Sequence, residues 1–246
     1  MKIFIDTANL DDIYKALNRG FIRGITTNPS LLAKEPKGRY SDHIKKIIHL
    51  IDSSGQLIKG IHLSVEVFSQ QLEEILRQAD EFMSWRYEHL SVKVQIGWNE
   101  LAAIKALNRK NISVNCTCCM SVSQAVMAAA AGAKYVSLFV GRIRDGGENQ
   151  AHELERNKLL ADGVMDSLDC NPFEVIKATR RIIDESYPGV EIIAGSIRSV
   201  ADIKNAALAG AHIVTVPPKF FPQMIQHFKT GEVVNQFLTD FQNWMS

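Results

Sequence analysis

The chain has 246 residues, 28 Lys and Arg against 27 Asp and Glu, a formal net charge of +1 and 46% hydrophobic residues. Length and apolar content allow one sizeable core and exclude a disordered chain. The balanced charge leaves no electrostatic footprint for nucleic acid or an anionic membrane, although a local anion site stays open. Asp6 and Asp11 come too early for the apolar core of a signal peptide, and no apolar run reaches the roughly 18 residues of a membrane span. The expectation is a cytoplasmic protein with one domain over residues 1–246.

In chain order, β-rich runs alternate with helical patterns. Strands are expected at residues 2–6, 24–28, 62–67, 91–96, 113–118, 135–140, 191–196 and 213–216. Helices are expected at 10–18, 41–51, 69–85, 99–108, 121–131, 171–186 and 200–209. Several strands are nearly continuous Val/Ile/Cys runs, as in parallel sheets covered on both faces. Gly132, Gly189 and Gly210 stand where a helix would stop before the next strand. This count and length suit a (β/α)8 TIM barrel. An open doubly wound sheet is the alternative, but Asp6-Thr7-Ala8-Asn9 after the first strand lacks the glycines of its phosphate loop. Residues 232–246 read as a C-terminal amphipathic helix, with Val233, Phe237, Phe241 and Trp244 near helical spacing.

Three of the four cysteines lie in Asn115-Cys116-Thr117-Cys118-Cys119, with Cys170 apart. Strand parity puts Cys116 and Cys118 on one face and Cys119 on the other. With no second C-x-x-C and no His pair at zinc-site spacing, they read as small buried apolar residues, and no metal or organic cofactor is expected.

In a barrel, chemistry gathers at the C-terminal ends of strands. Asp6 closes the first strand. Thr26 and Asn28, Ser64 and Glu66, Lys93 and Gln95, Asn115 and Thr117, Ser137 and Phe139, and Ser196 and Arg198 follow as i,i+2 pairs on six successive strands. A period of two puts both members on one face, so the set describes a polar ring converging on one cavity. Lys93 is mid-strand between two valines. Burial lowers a lysine's pKa, and a partly neutral lysine can form a Schiff base with a carbonyl. An equally open reading is a structural ion pair with Asp6 or Glu66. Those two carboxylates could divide acid and base roles, or serve as a charge partner and a helix cap. Arg142 and Arg198 with Ser196 follow the sixth and seventh strands, and Gly141 and Gly195 would permit close backbone approach, which favours an anion site over solvated arginines.

The stretches Phe4-Ile5-Asp6-Thr7-Ala8, Gly24-Ile25-Thr26-Thr27-Asn28-Pro29-Ser30, Ser64-Val65-Glu66, Val92-Lys93-Val94, Val114-Asn115-Cys116-Thr117, Phe139-Val140-Gly141-Arg142 and Gly195-Ser196-Ile197-Arg198 resemble, in order, the transaldolase family. The likeness is to its short members, which include fructose-6-phosphate aldolase. It implies that Lys93 is the Schiff-base lysine and Asp6 the acid/base at the C4 hydroxyl. Glu66 and Thr117 would position a water. Asn28 and Asn115 would bind the dihydroxyacetone hydroxyls, with Thr26, Ser64 and Ser137 lining the pocket. Arg142, Ser196 and Arg198 would hold the sugar phosphate, and the C-terminal helix would serve a homo-oligomer, a ring-shaped decamer in short members.

By the same resemblance, Glu66 and Phe139 are the transaldolase choices where the aldolase branch carries Gln and Tyr, which implies transfer of the three-carbon unit. The family's Pro and Thr after its lysine are here Gln95 and Gly97. Gln95 could add an amide to the pocket, so an enzyme building a longer-chain sugar is a second reading, a fructose-6-phosphate aldolase-type lyase a third, and a silent sugar-phosphate binder a fourth. Residues 144–169 are longer than in the shortest members and read as a helical flap or, by slight preference, a solvated insertion.

Overall fold

The alternation closes on itself. The computed structural model describes residues 1–54 and 60–246. Strands β1 (Lys2–Asp6), β2 (Gly24–Thr26), β3 (His62–Glu66), β4 (Leu90–Gln95), β5 (Val114–Cys119), β6 (Tyr135–Phe139), β7 (Glu191–Gly195) and β8 (Ile213–Val216) pair in sequence order. All pairs are parallel, and β1 also pairs with β8, so the sheet is a closed (β/α)8 barrel. The helices are α1 (Leu10–Arg19), α2 (Pro29–Leu32), α3 (Tyr40–Ser53), α4 (Leu72–Ser84), α5 (Glu100–Arg109), α6 (Val122–Ala131), α7 (Val140–Glu148), α8 (Glu153–Ala161), α9 (Pro172–Ser186), α10 (Val200–Leu208), α11 (Phe221–Met224) and α12 (Phe228–Met245).

Local chemistry explains where the chain turns. The Asn9 side chain accepts from the backbone N–H of Asp11 and Asp12, whose carboxylates suit the positive end of α1, and Gly20 ends that helix at φ 74°. Asn28, expected in the second strand, instead caps α2 with Pro29 at its first position, so β2 stops at Thr26. The sixth strand stops at Phe139, because Val140 already begins α7. The C-terminal helix begins four residues earlier than expected, at Phe228, and none of its residues is buried. The 144–169 stretch holds the end of α7, the exposed α8 and two 3-10 turns.

The two faces of the strands build two cores. Outward Ile5, Ile25, Leu63, Val65, Val92, Val94 and Val114 pack under the helices in one large cluster. Inside, Phe4, Ile193 and Ile213 form a small plug with Tyr135. Gly24 makes room for it: a Cβ there would lie 2.6 Å from the Phe4 ring. Above the plug the interior is polar, with Ser64, Lys93, Asn115, Thr117, Ser137 and Thr215 all buried, while His62 and Ser91 are buried beside the plug at the other end. One parity expectation is corrected. The pairing of β5 with β6 shifts between Cys116 and Cys119, and Cys118 takes φ 63°. This bulge turns Cys119 back beside Cys116, with Sγ atoms 4.0 Å apart and both thiols buried, and leaves Cys118 half-buried.

Candidate active site

Lys93 rises from the middle of β4 and is only 5% exposed. Its Nζ donates to Glu66 Oε2 at 2.8 Å and to the Thr27 carbonyl at 2.7 Å. Glu66 closes β3 directly opposite Lys93 in the strand register. A buried ammonium is tolerated only with such compensation. Of the two carboxylates that could have served the lysine, Glu66 is therefore the partner in contact.

Asp6 is bound differently. Its carboxylate accepts from Thr26 Oγ1 at 2.8 Å, and Thr26, its hydrogen thus committed, accepts from Thr215 Oγ1 at 2.6 Å. Burial pushes the Asp6 pKa up, while the Thr26 hydrogen bond and the charge of Lys93 pull it partly back. Asp6 caps no helix; Asn9 does that work for α1. The two carboxylates thus sit in distinct surroundings, one ion-paired and one held by hydroxyls.

Around them, Asn28 spends its carbonyl oxygen on the Leu31 N–H at 3.0 Å, leaving its amide hydrogens. Ser137 Oγ donates to Asn115 Oδ1 at 2.7 Å, and Asn115 Nδ2 donates to Ser64 Oγ at 3.0 Å. The Thr117 hydroxyl, like that of Thr27, is buried without a partner among the described residues. An unmatched buried hydroxyl costs about 1–3 kcal/mol, which marks a place for a water or a substrate oxygen. Gln95 turns its amide nitrogen to the Ser69 carbonyl at 2.9 Å. Beside it the Glu100 carboxylate lies over Gly97, where a Cβ would stand 2.1 Å from Oε2.

At the ends of β6 and β7, the close approach expected at Gly141 is present. Its N–H donates to the Ser196 carbonyl at 3.0 Å, and a Cβ there would meet Arg198 Nε at 2.5 Å. Gly195 is less constrained: a Cβ would sit 3.6 Å from the Phe139 ring, an ordinary contact. Ser196 is left-handed at φ 55°. Two free arginines are not what this end presents. Arg198 is clasped by both oxygens of Asp145, and Arg144 pairs with Asp202 at 2.6 Å. The Asp145 carboxyl is held below its usual range by Arg198. Burial raises the Asp202 pKa, but Arg144 and the Arg198 N–H outweigh it and hold that carboxyl low too. Arg142, exposed in the first turn of α7, makes no ion pair among the described residues. Thr215, Asp145 and His62, which donates to or accepts from Ser64, were not among the expected residues. Parity could have found Thr215 in Ile-Val-Thr-Val and His62 two before Ser64; nothing local marks Asp145.

Among the described residues no cluster of His, Cys, Asp or Glu is placed to hold a metal ion, and no helix is long and apolar enough to cross a membrane. Residues 3–245 match the family model described as transaldolase/fructose-6-phosphate aldolase. Curated relatives named probable transaldolase include one from Carboxydothermus hydrogenoformans, 36% identical with 98% of each chain covered. Others come from Symbiobacterium thermophilum, 34% identical over 98% of this chain and 97% of the relative, and from Thermoplasma acidophilum, 34% identical over 98% and 96%. Barrel, ordered motifs and near full-length matches agree, and the chain belongs to the transaldolase/fructose-6-phosphate aldolase family.

Proposed function

We propose that the protein moves a dihydroxyacetone unit from a ketose phosphate, of the fructose 6-phosphate or sedoheptulose 7-phosphate kind, to an aldose or aldose phosphate through a Schiff base on Lys93. The observation that carries this reading is the buried Lys93 ammonium, 2.8 Å from a carboxylate that can take its proton. The freed amine adds to the C2 carbonyl, and loss of water leaves a protonated imine. Glu66, with a water held at the unpartnered Thr117 hydroxyl, carries the protons of these steps.

Asp6 then takes the proton of the C4 hydroxyl. The C3–C4 electron pair moves into the imine, an aldose leaves, and the enamine remains on Lys93. An acceptor aldehyde reverses the sequence, with Asp6 returning its proton to the new alkoxide, and hydrolysis of the imine frees the product. The amide of Asn28 and the Asn115 cluster with Ser64 and Ser137 face the three-carbon unit, with Thr26 holding Asp6. Arg142, Ser196 and Arg198 receive the phosphate. Borohydride treatment with fructose 6-phosphate should fix a three-carbon or six-carbon adduct on Lys93, read by peptide mass. No adduct with any ketose phosphate, or one on another lysine, ends this reading.

Glu66 and Phe139 support transfer over simple cleavage. The Glu100 carboxylate seated over Gly97, beside Gln95, supports a donor or acceptor preference distinct from the common one, including a longer-chain sugar. We also read α12 as an assembly element. Val233, Val234, Phe237, Leu238, Phe241 and Trp244 are all exposed on it, a density of apolar side chains that a second copy of the chain would cover. Light scattering should report an oligomer; a monomer at micromolar concentration removes this part.

A further inference from the structure

His62 opens β3 and points into the barrel below the site, 8% exposed. Its ring stacks on Phe4 with centroids 5.2 Å apart and meets the edge of Tyr135 at 4.6 Å. Nε2 lies 2.8 Å from Ser64 Oγ. Ser64 is 3.0 Å from Asn115 Nδ2, and Asn115 Oδ1 is 2.7 Å from Ser137 Oγ. Four buried side chains from three strands therefore form one continuous chain, which runs from His62 to Ser137 through Asn115, opposite Lys93 in the register of β4 and β5.

The hydrogens in this chain are countable. A serine hydroxyl has one hydrogen. In this arrangement Ser64 receives a hydrogen from Asn115, so its own must go to an acceptor, and His62 Nε2 is the acceptor in place. That requires a neutral imidazole with its hydrogen on Nδ1, which has no protein partner among the described residues. His62 borders a cavity of about 370 Å³ at the N-terminal mouth of the barrel, shared with Lys2, Arg23 and His89. Burial, helped by Lys2 and His89, pushes the pKa of His62 down to about 3, so the ring is neutral at ordinary pH. With the opposite tautomer, Ser64 either accepts from both His62 and Asn115 and leaves its own buried hydrogen without a partner, or turns that hydrogen toward Asn115 and the amide flips, leaving its nitrogen on Ser137. With every hydrogen partnered, only the flip remains. The imidazole tautomer and the amide orientation are one variable.

We propose that His62 is a positioning residue: by accepting from Ser64 it fixes which way the Asn115 amide faces. This rests on the reading in which Asn115 contacts the three-carbon unit. Its remaining amide hydrogen is then aimed the same way in every turnover, with no reorganisation on binding.

His62→Phe keeps a ring for Phe4 and Tyr135 and removes the acceptor. Expected is a donor kcat/KM lower by roughly fivefold to tenfold, the worth of one neutral hydrogen bond or a little more. Ser64→Ala should cost about the same, and His62→Phe/Ser64→Ala should be no worse than Ser64→Ala alone. His62→Gln, which can offer an oxygen to Ser64, should recover part of the loss. An unchanged kcat/KM in His62→Phe, or losses that multiply in the double variant, overturns the proposal. The ¹⁵N shifts of His62 in labelled wild-type enzyme decide without turnover: a bare Nε2 is expected, and a protonated Nε2 overturns it. A wild type inert toward every ketose phosphate would end the functional reading instead, with the tautomer still deciding this one.

Discussion

The guanidinium of Arg198 is gripped by both carboxylate oxygens of Asp145, which reaches it from the helix directly after β6. A phosphate and a carboxylate compete for the same fork of donors. In the proposed function, where Arg198 receives the phosphate, Asp145 would set the threshold for phosphate at this end of the cavity. Asp145→Asn should tighten inorganic phosphate, measured by calorimetry, and lower the KM for fructose 6-phosphate about threefold, with dihydroxyacetone itself unaffected. Weaker phosphate binding in the variant would show that Asp145 orients Arg198 rather than competing for it. Because Arg198 holds the Asp145 carboxyl low, the competition persists at neutral pH and lapses only as the pH falls through that lowered value.

Lys93 and Glu66 form a pair buried to 6% and 14% side-chain exposure. Removing one member of such a pair leaves a charge without its partner, at a cost of about 3–5 kcal/mol. Lys93→Met should abolish adduct formation and also lower the Tm by several degrees. Adding Glu66→Gln should return most of that stability and none of the activity. If the double variant is no more stable than Lys93→Met alone, the lost stability comes from packing and not from the stranded carboxylate.

The fold was readable because two periods alternate so regularly: every expected strand is present, and the inward residues follow the i,i+2 parity from Phe4 and Asp6 to Ser137. Strand ends were less legible. An apolar run such as Leu138-Phe139-Val140 carries no mark of where a strand hands over to a helix, and Asn28 could be read as strand until Pro29 made it a cap. The Cys118 bulge reversed the parity of Cys119, since an αL residue in a strand has no signature when it is not glycine. For the site, the sequence could show which residues share a face but not which partner each chooses. Lys93 takes Glu66 rather than Asp6 because of strand register, and Arg198 takes Asp145 across 53 residues because two βα connections happen to face one another.

Asp6 carries a pKa raised chiefly by burial, and this has opposite consequences for stability and rate. A carboxyl whose folded pKa is raised destabilises the fold when ionised. The penalty is full above the folded value and disappears as the pH falls below the unfolded value near 3.8. Asp6→Asn keeps an oxygen for Thr26 and removes the charge, so it should raise the Tm at pH 7 and flatten its pH dependence in the acid range. The same change should slow C3–C4 cleavage by at least 100-fold, the scale of a lost general base, while imine trapping on Lys93 continues. In the wild type the acid limb of kcat should lie above the ordinary aspartate value. A variant that is both unstable and unable to form the imine would place Asp6 in the scaffold and not at the C4 hydroxyl.

Phe139 ends β6 opposite Gly195, half-buried where the enamine would wait for its acceptor. The fate of that enamine decides between transfer and cleavage. A proton at its carbanion carbon, followed by hydrolysis, releases dihydroxyacetone; an aldehyde at the same carbon completes transfer. Phenylalanine has no proton to give, so in the proposed reaction the enamine is expected to persist until an acceptor arrives. Phe139→Tyr adds a hydroxyl at that end, and the space beside Gly195 accommodates a modest ring shift, since even a Cβ there would make only a 3.6 Å contact. Free dihydroxyacetone formed from fructose 6-phosphate without acceptor should rise about tenfold in Phe139→Tyr, as the transfer rate with acceptor falls. Glu66→Gln alone should slow both products together, because it acts on imine formation that they share. If Phe139→Tyr leaves the ratio of free dihydroxyacetone to transferred product unchanged, protonation of the enamine is governed elsewhere in the cavity, and Phe139 is only its wall.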